Sequence, residues 1–139
     1  MKNMKIMIDT NIFMDVMLNR ESLADTSAEV LTLCENRKFE GFVSASCVTD
    51  IFYIVRKHLH STELAYQAVG KVLDIVKICP VTNQEILKAY EIHAKDFEDC
   101  LLAMCAKTNQ CDCIITRNTK DFPDLGISVI TPEEFLQNK

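Results

Sequence analysis

Short apolar runs alternate with longer amphipathic segments, and this alternation constrains the fold of the chain more than any other feature. A short apolar run between polar residues is typical of a buried strand, whereas apolar residues spaced three and four apart are typical of a helix. The predicted strands are residues 5–9, 42–45, 78–81, 113–116 and 128–130. The predicted helices are residues 25–36, 47–59, 62–77, 83–95 and 97–108, with a last helix after residue 131. Such alternation predicts the α/β class, a three-layer α/β/α sandwich with a mainly parallel central sheet.

Residues that commonly cap helices or occur in edge strands support these predictions. Asp25 and Ser61 are predicted N-caps, and Thr131 is a third, with Pro132 in the first turn and Glu134 completing a capping box. Pro80 cannot donate a backbone hydrogen bond, so the strand that contains it is predicted at the edge of the sheet.

Size and composition predict a single domain that covers residues 1–139. The chain has only three glycines and three prolines, they do not cluster, and no repeat or linker interrupts the sequence. The apolar run at the N-terminus is too short for a signal peptide, and no segment approaches the roughly 18 apolar residues of a membrane span. We therefore expect a cytoplasmic protein without a membrane partner.

Cysteine content and net charge narrow the function classes. Cys111 and Cys113, with Cys105 nearby, are candidate zinc ligands, but the seven cysteines include no CxxC pair, so reduced core thiols are favoured over a zinc site. The formal net charge of −5 disfavours nonspecific nucleic-acid binding by a broad basic surface. It does not exclude a nucleic-acid substrate, since a carboxylate site attracts phosphate once divalent cations fill it.

Polar side chains follow two of the predicted strands. Asp9 comes directly after the first strand, and residues 117–121 follow the fourth. Because ligands bind beyond the carboxyl ends of parallel strands, the predicted fold brings these residues together. Simpler roles remain open: Asp9 or Asn11 as a helix cap, and Asn118 and Asp121 as turn formers.

Three more acids lie on predicted helices. Asp96 and Asp99 are three residues apart at the start of the helix over 97–108, so they project from one helical face. Their alternative roles are to cap that helix and to complement its dipole. Asp50 lies among apolar residues in the helix over 47–59, where aspartate is unfavourable unless something stabilises it.

Carboxylates without a histidine or cysteine framework are the ligands that hard cations such as Mg²⁺ and Mn²⁺ prefer. Two such ions can activate water and stabilise the leaving oxygen in phosphodiester hydrolysis. Arg117 carries a planar guanidinium that can contact a phosphate, with a surface salt bridge as the alternative. The sequence contains no glycine-rich nucleotide loop, no GxSxG and no HExxH motif.

With these residues in place, the chain resembles the PIN-domain ribonucleases, and especially the small stand-alone toxins called VapC-like. The resemblance rests on residues 6–12, 44–50, 96–101 and 114–122, which span nearly the whole chain in the expected order. It implies a PIN-like fold and a metal-dependent endoribonuclease. The implied catalytic residues and ligands for Mg²⁺ or Mn²⁺ are Asp9, Asp50, Asp99 and Asp121, although glutamate is commoner at the second position.

The resemblance also implies supporting roles and partners. Asn11 would orient Asp9, Arg117 would contact the phosphate, and Asp96 and Asn118 would support the site, with Asn118 as the alternative to Asp121 at the fourth position. The expected partners are an RNA substrate, an antitoxin protein and a second copy of the chain.

Three other functions remain open at this stage. A PIN-like DNA nuclease would use the same carboxylates, and a non-catalytic PIN-fold RNA-binding or assembly module would need none of them. A phosphoryl-transfer protein with Asp9 as nucleophile is the least favoured, because Asn11 stands where a second aspartate often serves as acid and base.

Overall fold

The computed structural model describes residues 3–138, which form one five-stranded sheet and seven α-helices. The strands are β1 (Lys5–Ile8), β2 (Glu40–Ser44), β3 (Lys77–Cys79), β4 (Cys113–Ile115) and β5 (Ser128–Ile130). The helices are α1 (Thr10–Met17), α2 (Ala24–Glu35), α3 (Ala45–Leu59), α4 (Thr62–Ile75), α5 (Asn83–Ile92), α6 (Phe97–Thr108) and α7 (Pro132–Gln137). A short 3₁₀ helix, Thr119–Asp121, follows β4.

The sheet is parallel throughout, in the order β3-β2-β1-β4-β5. Helices α1 to α4 and α7 form one contacting group, whereas α5 and α6 pack on each other, and the sheet lies between them. The predicted α/β/α sandwich with a mainly parallel sheet is therefore confirmed. Pro80 directly follows β3, which is an edge strand as predicted.

The core is built around β1, the central strand. Ile6, Met7 and Ile8 are fully buried, as expected for a strand covered on both faces by helices. Phe13 of α1 is among the largest of the fully buried side chains. The central position of β1 fixes where Asp9, the residue that follows it, must lie.

Several predicted helix boundaries differ from the structure by one to three residues, and two of these differences have a clear local reason. Helix α2 begins one residue earlier, after Leu23, so Asp25 is not its cap but lies in the first turn, where its charge complements the helix dipole. Helix α5 ends at Ile92, because His93 adopts a left-handed conformation with φ of 57°. The predicted caps Ser61 and Thr131 are confirmed, and each accepts a backbone hydrogen bond.

All seven cysteines are free and buried, as predicted. Burial raises the pKa of five of these thiols to about 12, so they stay protonated: Cys34, Cys79, Cys105, Cys111 and Cys113. Within residues 3–138, no helix is long and apolar enough to cross a membrane.

Candidate functional site

The site lies where the order of the strands reverses. The chain runs outward from β1 to β2 and β3 on one side, and then returns to β4 and β5 on the other. Parallel sheets open a crevice at the carboxyl ends of the two strands that flank such a reversal. Asp9 follows β1 and Thr116 follows β4, and the backbone N–H of Asp9 donates to the carbonyl of Ile115 at 3.0 Å. These residues therefore form the floor of the crevice.

Three donors hold the Asp9 carboxylate. The backbone N–H of Thr10, the first residue of α1, donates to Oδ1 at 2.7 Å. The Thr116 hydroxyl donates to Oδ2 at 2.8 Å, and Asn11 Nδ2 lies 3.4 Å from the same oxygen. Asn11 Oδ1 in turn accepts the backbone N–H of Arg117 at 3.2 Å. Asp9 is thus both the N-cap of α1 and a carboxylate with a fixed direction, so the capping role does not exclude a chemical one.

A compact group of three carboxylates lies at the start of α6. Asp96 caps this helix by accepting the backbone N–H of Asp99 at 3.0 Å. Asp96, Asp99 and Asp121 each place a carboxylate oxygen within 4.8 Å of the other two. Asn118 Nδ2 lies between two of them, 2.9 Å from Asp121 Oδ2 and 3.4 Å from Asp99 Oδ2. Among residues 3–138, this is the one group of carboxylate, histidine or cysteine ligands close enough to share a metal ion.

Asp9 and Asp50 are not part of that close group, but their charges interact with those of the neighbouring carboxylates. Asp50 is half-buried on α3, and burial raises its pKa. Burial also raises the pKa of Asp9, and the charges of Asp96 and Asp50 add to this effect. Glu98 is an exposed residue of α6, yet partial burial and then the charges of Asp50, Asp9 and Asp96 raise its pKa too. Glu98 therefore lies close enough to the carboxylates of the site to interact with their charges, which the helical spacing did not predict.

Asp99 shows the strongest shift among these carboxylates. Burial, followed by the charges of Asp9, Asp96, Asp121 and Glu98, raises its pKa from 3.8 to about 7. Its side chain is almost fully enclosed, with 8% of the residue exposed. Carboxylates held this close repel one another, and either protons or a bound cation can relieve the repulsion. An oxygen-only ligand set of this kind suits Mg²⁺ or Mn²⁺.

The Asp99 shift predicts a pH dependence of folding in the absence of metal. Between about pH 4 and pH 7 folded Asp99 keeps a proton that the unfolded chain has released, so this group destabilises the fold as pH rises. Relative to wild type, Asp99→Asn is expected to gain stability from pH 5 to pH 8 in urea unfolding with EDTA. Glu91→Gln, a change on the exposed face of α5, is the matched control. Parallel pH profiles for wild type and Asp99→Asn would contradict the shift.

Arg117 forms an ion-pair network with other residues instead of pointing at the carboxylates of the site, so the structure gives its predicted phosphate contact no support. Its Nε donates to Asp15 at 2.8 Å, and Nη1 donates to Glu133 at 2.6 Å. Its Nη2 donates to the Leu23 carbonyl at 2.9 Å and to the hydroxyls of Thr26 and Ser27. The guanidinium therefore joins α1, α2 and α7, which is a part-buried version of the salt bridge that the sequence left as the alternative.

Two residues of this region were not predicted. Thr116 was recognised only as the end of a strand, although its hydroxyl holds Asp9 and accepts the backbone N–H of Asn118 at 3.1 Å. The available signal was the position of this hydroxyl at the carboxyl end of β4, the strand beside β1, which precedes Asp9. Asp15 is fully buried, and a charged residue at a core position of α1 indicated a hidden partner.

Comparison with known proteins assigns the chain to a family. The family model described as PIN domain matches residues 5–120. The chain belongs to the PIN-domain family. It is 28% identical to Ribonuclease VapC1 of Aquifex aeolicus strain VF5, in an alignment that covers 99% of this chain and 96% of that protein.

Solved structures agree with the fold. VapBC2 from Rickettsia felis, bound to a DNA fragment from its promoter, matches with a TM-score of 0.72 at 18% identity, over 92% of this chain and 98% of that one. A toxin–antitoxin complex from Klebsiella pneumoniae matches with a TM-score of 0.65 at 23% identity, over 91% and 97%. The resemblance to VapC-like PIN proteins and the predicted fold are confirmed.

Proposed function

We propose that this PIN-domain protein is a metal-dependent endoribonuclease that hydrolyses RNA phosphodiesters. The observation that carries the proposal is the cluster of carboxylates at the strand-order reversal, with Asp9 at the floor of the crevice and the group of Asp96, Asp99 and Asp121 close enough for their charges to interact with it. The ribonuclease named among its relatives favours RNA over DNA as the substrate. The experiment that tests the proposal is cleavage of labelled RNA with and without divalent metal.

The ligand set fits Mg²⁺ or Mn²⁺, because the clustered ligand atoms are carboxylate oxygens, and because burial and the neighbouring negative charges together raise the pKa of Asp99. Asp9, Asp50, Asp99 and Asp121 would hold the metal, with Asp96 close enough to contribute. Bound divalent cations would supply the positive charge that activates water and stabilises the leaving oxygen in phosphodiester hydrolysis.

The protein's own residues prepare the site for that chemistry. Thr116 and the N-terminus of α1 fix the direction of Asp9, which avoids an ordering cost when a ligand binds. Asn118 holds Asp99 and Asp121 at a set separation through its two side-chain contacts. Lys95 Nζ lies 3.9 Å from Asp121 and adds an exposed positive charge at the rim, where a phosphate would approach.

The fourth ligand position is tested by metal binding. We expect Asp121→Asn to weaken Mn²⁺ binding by about tenfold or more, because it removes a charge from the close group. Asn118→Ala should weaken Mn²⁺ binding less, because it removes only a hydrogen-bond donor that holds Asp121 in place. Isothermal calorimetry at pH 8 measures both, with Glu91→Gln as the unaffected control. A larger loss with Asn118→Ala than with Asp121→Asn would reverse the assignment.

We further propose that this ribonuclease is the toxin of a type II toxin–antitoxin pair. The support is that the structure from Klebsiella pneumoniae, which shares its fold over more than nine-tenths of the chain, is a toxin–antitoxin complex. An antitoxin would block the carboxylate crevice, and the toxin would act in the cytoplasm as a homodimer. Co-expression with the product of the adjacent gene, followed by co-purification and loss of RNA cleavage, tests the pairing.

A further inference from the structure

The helix that carries Asp50 also carries an exposed aromatic and basic surface. Asp50, Tyr53 and Lys57 are spaced three and then four apart on α3, so they lie along one face of the helix. Tyr53 is 54% exposed, and the Arg56 guanidinium lies over its ring, 4.8 Å from the centroid. We call Tyr53, Arg56 and Lys57 the α3 strip; it begins one turn beyond Asp50 and runs away from the crevice.

The ring of Tyr53 is braced by the aromatic residues behind it. Phe52 contacts Tyr53 edge-to-face at a centroid separation of 5.1 Å, and contacts Tyr66 of α4 at 4.9 Å. Phe52 packs against the core, whereas Tyr66 is 63% exposed. The α3–α4 pair thus holds two tyrosine rings at the surface in fixed positions, which lowers the entropy cost of stacking a ligand on them.

Charge gives a second reason to expect a polyanion here. Within residues 3–138, neither Arg56 nor Lys57 has a carboxylate close enough for a salt bridge, although the chain as a whole carries a net charge of −5. Basic residues in the last turn of a helix also complement its dipole. That role accounts for their charge but not for the exposed rings beside them.

We propose that the α3 strip, with Tyr66, is a subsite for single-stranded RNA, in which nucleotides flanking the cleaved bond stack on the tyrosines while Arg56 and Lys57 contact phosphates. Stacked aromatics combined with unpaired basic side chains are the usual way that proteins bind single strands without reading sequence. At 1.5 Å of rise per residue, Tyr53 and Arg56 lie roughly 5 and 9 Å along the helix from Asp50, within reach of neighbouring nucleotides. This inference rests on the proposed ribonuclease function.

The test measures binding and cleavage of a labelled 12-nucleotide single-stranded RNA. Binding is followed by fluorescence anisotropy with Mn²⁺ in an Asp99→Asn background, which prevents cleavage, and cleavage kinetics are followed in otherwise wild-type protein. We expect Tyr53→Ala to weaken binding about fivefold or more, the effect of losing one stacked base, and to raise KM while kcat stays unchanged. Tyr53→Phe keeps the ring and should bind as the parent does. Tyr90→Ala removes a ring that is 70% exposed on α5 and should also have no effect.

The two basic residues of the strip give a further measurement. Arg56→Ala combined with Lys57→Ala should weaken binding and lower the salt dependence of log K by about 1.4, the value for two phosphate contacts on a single strand.

The outcomes separate this inference from the function on which it rests. Equal RNA affinity and equal KM for Tyr53→Ala and Tyr53→Phe, in a protein that does cleave RNA, would overturn the subsite and leave the strip to a protein partner. A protein that neither cleaves nor binds RNA in any form would overturn both. RNA cleavage by wild type, together with weaker RNA binding in Tyr53→Ala but not in Tyr53→Phe, supports both the ribonuclease function and the subsite.

Discussion

Asp99→Asn is expected to abolish RNA cleavage while leaving the fold intact. Asparagine has nearly the same shape as aspartate but cannot carry its charge, and Asp99 is the enclosed member of the three-carboxylate group. Losing an outer-sphere partner of a metal site costs roughly 10- to 100-fold, so losing a ligand should exceed 100-fold in kcat/KM. Steady-state cleavage of a labelled RNA with Mn²⁺ measures the loss, and Asp9→Asn should behave in the same way.

The matched control for Asp99→Asn is Asp96→Asn on the same turn. Asparagine caps helices as well as aspartate does, so Asp96→Asn keeps the start of α6 while it removes one charge from the group. We expect it to lower activity less than Asp99→Asn. Wild-type turnover by Asp99→Asn in Mn²⁺ would show that the site is assigned wrongly, whereas an unfolded variant would be revealed by circular dichroism.

Arg117→Met is expected to cost about 3–5 kcal/mol of stability, the usual penalty for removing one partner of a buried ion pair. The fully buried Asp15 loses its bond to Nε, and Ser27, Thr26 and the Leu23 carbonyl lose theirs to Nη2. Urea unfolding, read as a change in midpoint at constant slope, measures the loss. The same change should also lower cleavage, because Arg117 lies between Thr116 and Asn118.

Two variants show whether the buried charge is the cause. Glu133→Gln should cost far less, about 1 kcal/mol, because the side chain of Glu133 is 44% exposed and can be solvated. Asp15→Asn introduced into Arg117→Met should recover part of the lost stability, because it removes the charge that was left unpaired. A cost below about 1 kcal/mol for Arg117→Met would contradict this account of the network.

Local patterns explain why much of the fold and the placement of the acids were predictable. The three-residue spacing puts Asp96 and Asp99 on one face of α6, and helix α6 has the predicted bounds, 97–108. The rule that parallel strands present their carboxyl ends at one edge brings Asp9 to residues 116–121, as the bond from Thr116 to Asp9 shows. Both inferences need only periodicity and topology.

The features that were missed depend on partners far away in the sequence. Arg117 has the same local surroundings whether it faces a phosphate or an ion pair, and the choice is made by Asp15, 102 residues away along the chain. Thr116 matters because β4 lies beside β1, which its own strand pattern does not reveal. The early end of α5 depends on the left-handed conformation of His93, which the helical spacing of residues 83–95 does not reveal.

The measurement that tests the central claim most directly compares cleavage of single-stranded RNA and DNA of the same sequence by wild type, with Mn²⁺, with Mg²⁺ and with EDTA. The account predicts internal cuts in RNA that require metal, stop when EDTA is added and return when Mn²⁺ is restored in excess, with little or no cutting of DNA. RNA cleavage that continues undiminished in EDTA, or no cleavage of any RNA by protein that calorimetry shows to bind no Mn²⁺, would contradict it.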